Sequence, residues 1–240
     1  DVYKRQHLIV IFSTKSLQNN KKFIDLRPLI KLDSMKATMK TLSAILICCF
    51  ISTIQMYGEN IQRPESENYV KGVEALNEGN PEAAYTYLNA EINEHPDNGY
   101  AHCYMALICN FCNDTKLALQ ALNSSLELIP EADTEYRSFA HYSRGVLLTN
   151  LKMWEHAEAD LNEAIRLNPE DVENYKSRAQ LYFETERYEE SLDDLTRALK
   201  LDSKADVNDL VLQLMAVAPT SEFMERITAT YQQLDQVTIH

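Results

Sequence analysis

A chain of 240 residues that is 45% apolar and 25% charged has the composition of a folded, water-soluble protein. Its five glycines, about 2% of the chain where ~7% is usual, argue against turn-rich β folds and glycine-rich phosphate loops. No G-x-G-x-x-G, G-x-x-x-x-G-K-[ST], G-x-S-x-G or H-E-x-x-H occurs, so the enzyme classes with those signatures are unsupported.

The net charge of −13 is divided unevenly. Residues 1–58 hold 9 Lys and Arg against 3 Asp and Glu, whereas residues 59–240 hold 14 against 33. A basic leader joined to an acidic body implies two segments with different fates. The acidic body repels phosphate backbones, so nucleic acid is not expected as a partner.

The chain opens on Asp1-Val2-Tyr3-Lys4-Arg5-Gln6 rather than on Met. That hexapeptide resembles the translation of a transposon-end adapter used in sequencing-library preparation. Residues 1–38 are accordingly expected to be read-through upstream of the working protein, and disordered. The run Leu8–Phe12 is five residues, far below the ~20 that span a bilayer.

Residues 39–58 read as a secretory signal peptide. Lys40 precedes Leu42–Ile54, which is 13 residues without a charge, the length of a signal core and short for a membrane span. Cleavage is expected after Gly58, although Met56 stands where a small residue is preferred. Cys48 and Cys49 invite a lipidation reading, but Ile47 and Cys48 precede them where Gly, Ala or Ser is usual. The expectation is export, to a bacterial periplasm or cell surface, with membrane contact only through this segment. Residues 59–64 form a linker.

From residue 65 the chain repeats itself. Pro96 and Pro130 are 34 residues apart, Pro130 and Pro169 are 39 apart, and 34 more leads to Ser203. The longer spacing is one repeat plus a five-residue insertion. Interior columns keep the same register. Gly72, Ala106, Gly145 and Ala179 are all small, as are Ala84, Ala118, Ala157 and Ser191. Leu88, Leu122, Leu161 and Leu195 are all leucine, while Glu91, Ser125, Ala164 and Ala198 are small in three of four. Small residues let two helices approach at a crossing, and the leucine fills the space beside them.

Apolar periodicity and turn punctuation predict helix pairs over 66–78 and 81–94, 99–111 and 114–128, 134–149 and 153–167, and 172–185 and 188–201. A last pair, 206–218 and 220–234 within a C-terminal segment 204–240, breaks register. Glu225 replaces the small crossing residue there, so the pair is an end cap or a degenerate repeat.

These columns and this period resemble the tetratricopeptide repeat family over residues 65–203, as four repeats. The resemblance implies an all-α fold, a right-handed superhelix of antiparallel helix pairs whose first helices line a concave face. It also implies a non-catalytic scaffold that binds a protein or peptide segment there. The alternative is the N-terminal module of a longer exported enzyme, protease or thioredoxin-like, cut at His240.

Carried over by register, the lining columns are Tyr69, Val73, Tyr100, Cys103, Tyr104 and Leu107 in the first two repeats, and Tyr142, Val146, Asn150, Lys176, Gln180 and Phe183 in the next two. Family members that clamp a peptide's C-terminal carboxylate use Lys, Asn and Arg at places where this chain has Tyr69, Val73, Tyr100 and Ser143. Apolar and aromatic contacts are expected instead, with Tyr100 and Tyr142 as surface anchors whose truncation spares the fold.

No cofactor is expected. Cys109 and Cys112 form a C-x-x-C at the end of a first helix, where the dipole disfavours a thiolate. They read as small buried residues or as a disulfide, with redox catalysis the remote alternative. No second pair completes a zinc site. His102 and His141 share a column and read as packing residues. Glu189, Glu190, Asp193 and Asp194 read as a solvated helix face.

Overall fold

The computed structural model describes residues 61–218 and 220–238, and every regular element among them is an α-helix. In chain order these are α1 (Glu67–Asn77), α2 (Pro81–Glu94), α3 (Gly99–Phe111), α4 (Thr115–Leu128) and α5 (Thr134–Asn150). They continue with α6 (Trp154–Leu167), α7 (Val172–Glu184), α8 (Tyr188–Leu201), α9 (Asn208–Val217) and α10 (Ser221–Thr238). The bounds fall within one or two residues of the predicted spans, except that α10 continues to Thr238. The expected read-through and signal segments lie outside the described residues.

Short polar side chains start several of the helices. Asn80, Asn98, Asp114 and Asp133 each accept a hydrogen bond from the backbone N–H three residues on, at 3.1 to 3.2 Å. Asp171 caps α7 from two residues back, at 3.0 Å. Each replaces a partner that the first turn lacks. Pro81 at the start of α2 loses nothing, because its missing N–H would have been unpaired there.

The first helix of each repeat ends in the same way. Gly79, Asn113, Lys152 and Glu186 adopt left-handed φ values of 76°, 60°, 59° and 61°. The next residue's N–H reaches back to close the turn: Asn80 to Ala75 O, Asp114 to Cys109 O, Met153 to Leu148 O and Arg187 to Tyr182 O, each at 2.8 to 2.9 Å. This backbone motif sends the chain sharply back along the helix it has just left. Antiparallel pairs result.

Backbone contacts gather the chain into two units, 1–140 and 141–240, and the division falls within α5. In the first unit α1 packs on α2, α2 on α3 and α3 on α4. A Cβ on Gly72 would lie 2.7 Å from Leu88 Cγ, so the helices touch through hydrogen there. Gly145 meets Leu161 in the same way in the second unit, at 2.8 Å. The small columns and the leucine column are thus two sides of one crossing. Ala84, Leu88, Ala118 and Leu122 are buried in the first unit, and Ala157, Leu161, Ala179, Ser191 and Leu195 in the second. Each buried leucine contributes about 1.5–3 kcal/mol.

In the second unit α6 packs on α7 and α7 on α8, while α9 and α10 pack on α8 and on each other. Leu210, Val211 and Leu214 of α9 and Phe223 and Ile227 of α10 join the core of α7 and α8. Glu225 is exposed, because α10 turns Phe223 and Ile227 inward instead. The last pair therefore closes the core without the crossing register of the other repeats. No helix among the described residues is long and apolar enough to cross a membrane.

Candidate functional site

In the first unit, α1 and α3 place Tyr69, Tyr100 and Tyr104 beside Tyr136 of α5. The Tyr69 and Tyr104 ring centroids are 6.2 Å apart. Tyr136 stands edge-on to Tyr100 at 4.8 Å and to Tyr104 at 6.3 Å. The Tyr104 and Tyr136 hydroxyls hydrogen-bond at 3.1 Å. Burial carries the Tyr69 and Tyr100 hydroxyls well above the ordinary tyrosine pKa; nearby Tyr104 reinforces the first and Asp133 the second. They are neutral donors across the physiological range.

Arg63, in the non-helical residues before α1, reaches this cluster. Its Nε and Nη2 donate to the two Asp133 carboxylate oxygens at 3.1 and 3.2 Å, and Nη2 also donates to Glu135 Oε2 at 2.9 Å. The guanidinium lies 4.6 Å from the centre of the Tyr136 ring. Burial works against its charge, but the hydrogen bonds to Asp133 and Glu135 prevail and raise its pKa. Tyr100 donates to the same Asp133 at 3.0 Å.

The sequence-expected residues on this face separate by burial. Tyr69, Tyr100, Cys103 and Leu107 are buried, whereas Val73 and Tyr104 are half-buried. In the second unit Tyr142 is buried, Val146, Lys176, Gln180 and Phe183 are half-buried, and Asn150 is exposed. Lys176 donates to Glu173 at 2.7 Å, Gln180 to Glu184 at 3.0 Å, and Phe183 meets the Tyr188 ring at 5.7 Å. Tyr100 and Tyr142 are thus not surface anchors: they are 5% and 1% exposed. Tyr100 turns its hydroxyl to Asp133, and Tyr142 fills the core of its unit.

Other expectations are refined. His102 hydrogen-bonds Pro96 O at 3.0 Å, but His141 does more than pack, since it meets Asp160 at 2.9 Å beside Arg144. Asp194, expected in water, is buried and held by Arg178 at 2.7 and 2.8 Å. Glu189 and Asp193 are exposed and both accept from Arg226. Cys109 and Cys112 stand as thiols, and burial, with Asp114 nearby, raises both; Cys109 is pushed up to about 11. No metal-holding group of His, Cys, Asp and Glu occurs among the described residues.

Arg63, Asp133, Glu135 and Tyr136 escaped the register argument. The one signal for them is the five-residue insertion, which breaks the period at this point.

Comparison with known proteins agrees with the geometry. A family model described as tetratricopeptide repeat matches residues 140–171 and 173–204. Over 143 residues the chain is 25% identical to Tetratricopeptide repeat protein 6 of Homo sapiens, covering 60% of this chain and 26% of that protein. Over 87 residues it is 31% identical to the Lipoprotein NlpI homolog of Haemophilus influenzae, covering 36% and 28%. The chain thus spans about a quarter of the length of these curated relatives. Among solved structures it is similar in fold to MamA from Desulfovibrio magneticus RS-1, with a TM-score of 0.58 and 19% identity, covering 71% of this chain and 94% of that one.

Proposed function

We propose, from the tetratricopeptide repeats matched over residues 140–171 and 173–204, that the chain is an exported, non-catalytic scaffold of that family that binds a peptide or partner segment on the first-helix faces of its repeats. The observation that carries this reading is a set of side chains at repeat register that remain reachable. They are Val73 and Tyr104 in the first unit, and Val146, Asn150, Lys176, Gln180 and Phe183 in the second. Aliphatic and aromatic surface with interspersed amide and ammonium groups suits an extended segment held by side-chain contacts. Export is supported by the charge and apolar pattern of residues 39–58 and by similarity to a lipoprotein homolog.

The test is affinity capture with the native chain against Val146→Lys and Gln180→Ala, with folding followed by helical CD. Loss of a defined partner by the folded variants is the expected result. Unchanged capture by both places the binding surface elsewhere. Mass spectrometry of the mature N-terminus tests export, and an intact Met39 in a soluble cytoplasmic fraction refutes it.

A further inference from the structure

The residues around Arg63 form a more specific site than a general peptide face, and an added one. α5 has 17 residues where α3 and α7 have 13, so the insertion between Pro130 and Pro169 lengthens this helix by about a turn at its start. Asp133 caps that extra turn, and Glu135 and Tyr136 lie in it. All three touch Arg63. The departure from the repeat therefore builds the contact.

The chemistry selects a guanidinium. Two carboxylates take its planar N–H fork, and an aromatic ring faces the cation. A lysine ammonium is a point charge and could not satisfy both carboxylates and the ring from one position. Asp133 is 1% exposed and its other partners, the Tyr100 hydroxyl and the Tyr136 N–H, are neutral. A charged carboxylate so buried requires a cation. Arg63, by contrast, keeps 24% of its side chain exposed and comes from residues outside any helix. The box is built on a helix start and buried at Asp133, and its occupant comes from the partly exposed residues ahead of α1.

We infer that this box is an arginine-recognition site, occupied in cis by Arg63, which admits an arginine from an extended segment of a partner when Arg63 leaves. This rests on the reading of the chain as a peptide-binding repeat protein. Arg63 is then a tethered competitor. A tether that keeps Arg63 in the box about nine-tenths of the time leaves the site one-tenth open, so removing Arg63 strengthens partner binding about 10-fold.

The experiment uses the full chain and a labelled peptide copying residues 59–66, carrying Arg, Lys or Ala at its Arg63 position. The Arg peptide is expected to bind the Arg63→Ala chain at least about 10-fold tighter than the native chain, with the Lys and Ala peptides weaker by a similar factor. The Arg63→Ala, Asp133→Asn chain should not bind it. If all three peptides bind Arg63→Ala alike, arginine recognition falls while peptide binding stands. If none binds the folded variant at millimolar concentration, the inference falls together with the peptide reading of this face. Should Arg63→Ala not fold, the Arg63 Nε–H NMR signal of the native chain decides. Its shift on adding the Arg peptide but not the Lys peptide supports the site, and an unmoved signal overturns it.

Discussion

Arg144 holds Asp160 through both carboxylate oxygens, at 2.7 and 2.8 Å, and 34 residues later Arg178 holds Asp194 in the same way. Each pair joins the first helix of a repeat to the second. One period before Arg144 the corresponding residues are Met105 and Ala121, so the pairing belongs to the later repeats alone. Asp160 and Asp194 are both buried, and each depends on its arginine. Arg144→Ala is expected to cost about 2–3 kcal/mol, below the ~3–5 of a fully buried pair because Arg144 is partly exposed. Urea denaturation of the two chains measures it.

The two aspartates titrate in opposite directions. Burial raises Asp160, but Arg144 and His141 outweigh it and hold the carboxyl below its usual value. Burial prevails at Asp194, aided by Asp193 and only partly offset by Arg178, and raises it. Asp160 thus adds stability at neutral pH that is lost as pH falls from about 4 through its lowered folded value. Asp194 is a cost at neutral pH that is relieved as pH falls through its raised value. In melts from acid to neutral pH, Asp160→Asn should flatten the loss below about pH 4. Asp194→Asn should remove the gain that accompanies falling pH above that point.

Lys152 and Glu186 occupy the left-handed turn that Gly79 occupies without strain. The side chain costs about 1–2 kcal/mol there, against a glycine entropy penalty of about 0.5–1. Lys152→Gly and Glu186→Gly should each stabilise by about 0.5–1 kcal/mol, and Gly79→Ala should destabilise. Denaturation midpoints report the sign.

Gly99 and Gly145 are both tightly packed but differ in what they meet. A Cβ on Gly99 would lie 2.8 Å from the Ile129 backbone nitrogen, whereas on Gly145 it would meet the Leu161 side chain. Side chains yield more readily than backbone, and Ala106 and Ala179 already sit in the Gly145 column. Gly99→Ala should therefore cost about 1–3 kcal/mol, and Gly145→Ala less. Comparing their melting temperatures tests the order.

Tyr142 is 1% exposed. Tyr142→Ala should lose about 3–5 kcal/mol, the range of a large core truncation. Any loss of partner capture would then accompany a lower melting temperature, unlike a change at Gln180.

The helices, their pairing and their crossings were legible because each leaves a mark in residue type. The Gly72–Leu88 and Gly145–Leu161 contacts demand a small residue and a leucine at fixed spacing. The left-handed turns were half legible. Gly79 announces one, but Asn113, Lys152 and Glu186 adopt the same geometry without the residue that favours it, under the pull of the returning chain. Burial of Tyr100 and Tyr142 was not legible, since a tyrosine at lining register can turn inward when a carboxylate or a core cavity receives it. Arg63 and Asp133 have no periodic relation at all, so no column could pair them.

The Arg63–Asp133 contact joins residues 70 apart, while the pairs Arg144–Asp160 and Arg178–Asp194 each span 16. Stacked repeats ordinarily interact only with neighbours, so they fray from their ends one unit at a time. A tie from ahead of the first helix to the start of α5 removes that freedom. Neither α1 nor α2 can peel away while Arg63 stays in place, and amide exchange across both should follow a single opening event. Release of one guanidinium would then return that freedom to α1 and α2, so that their amides exchange through separate openings again.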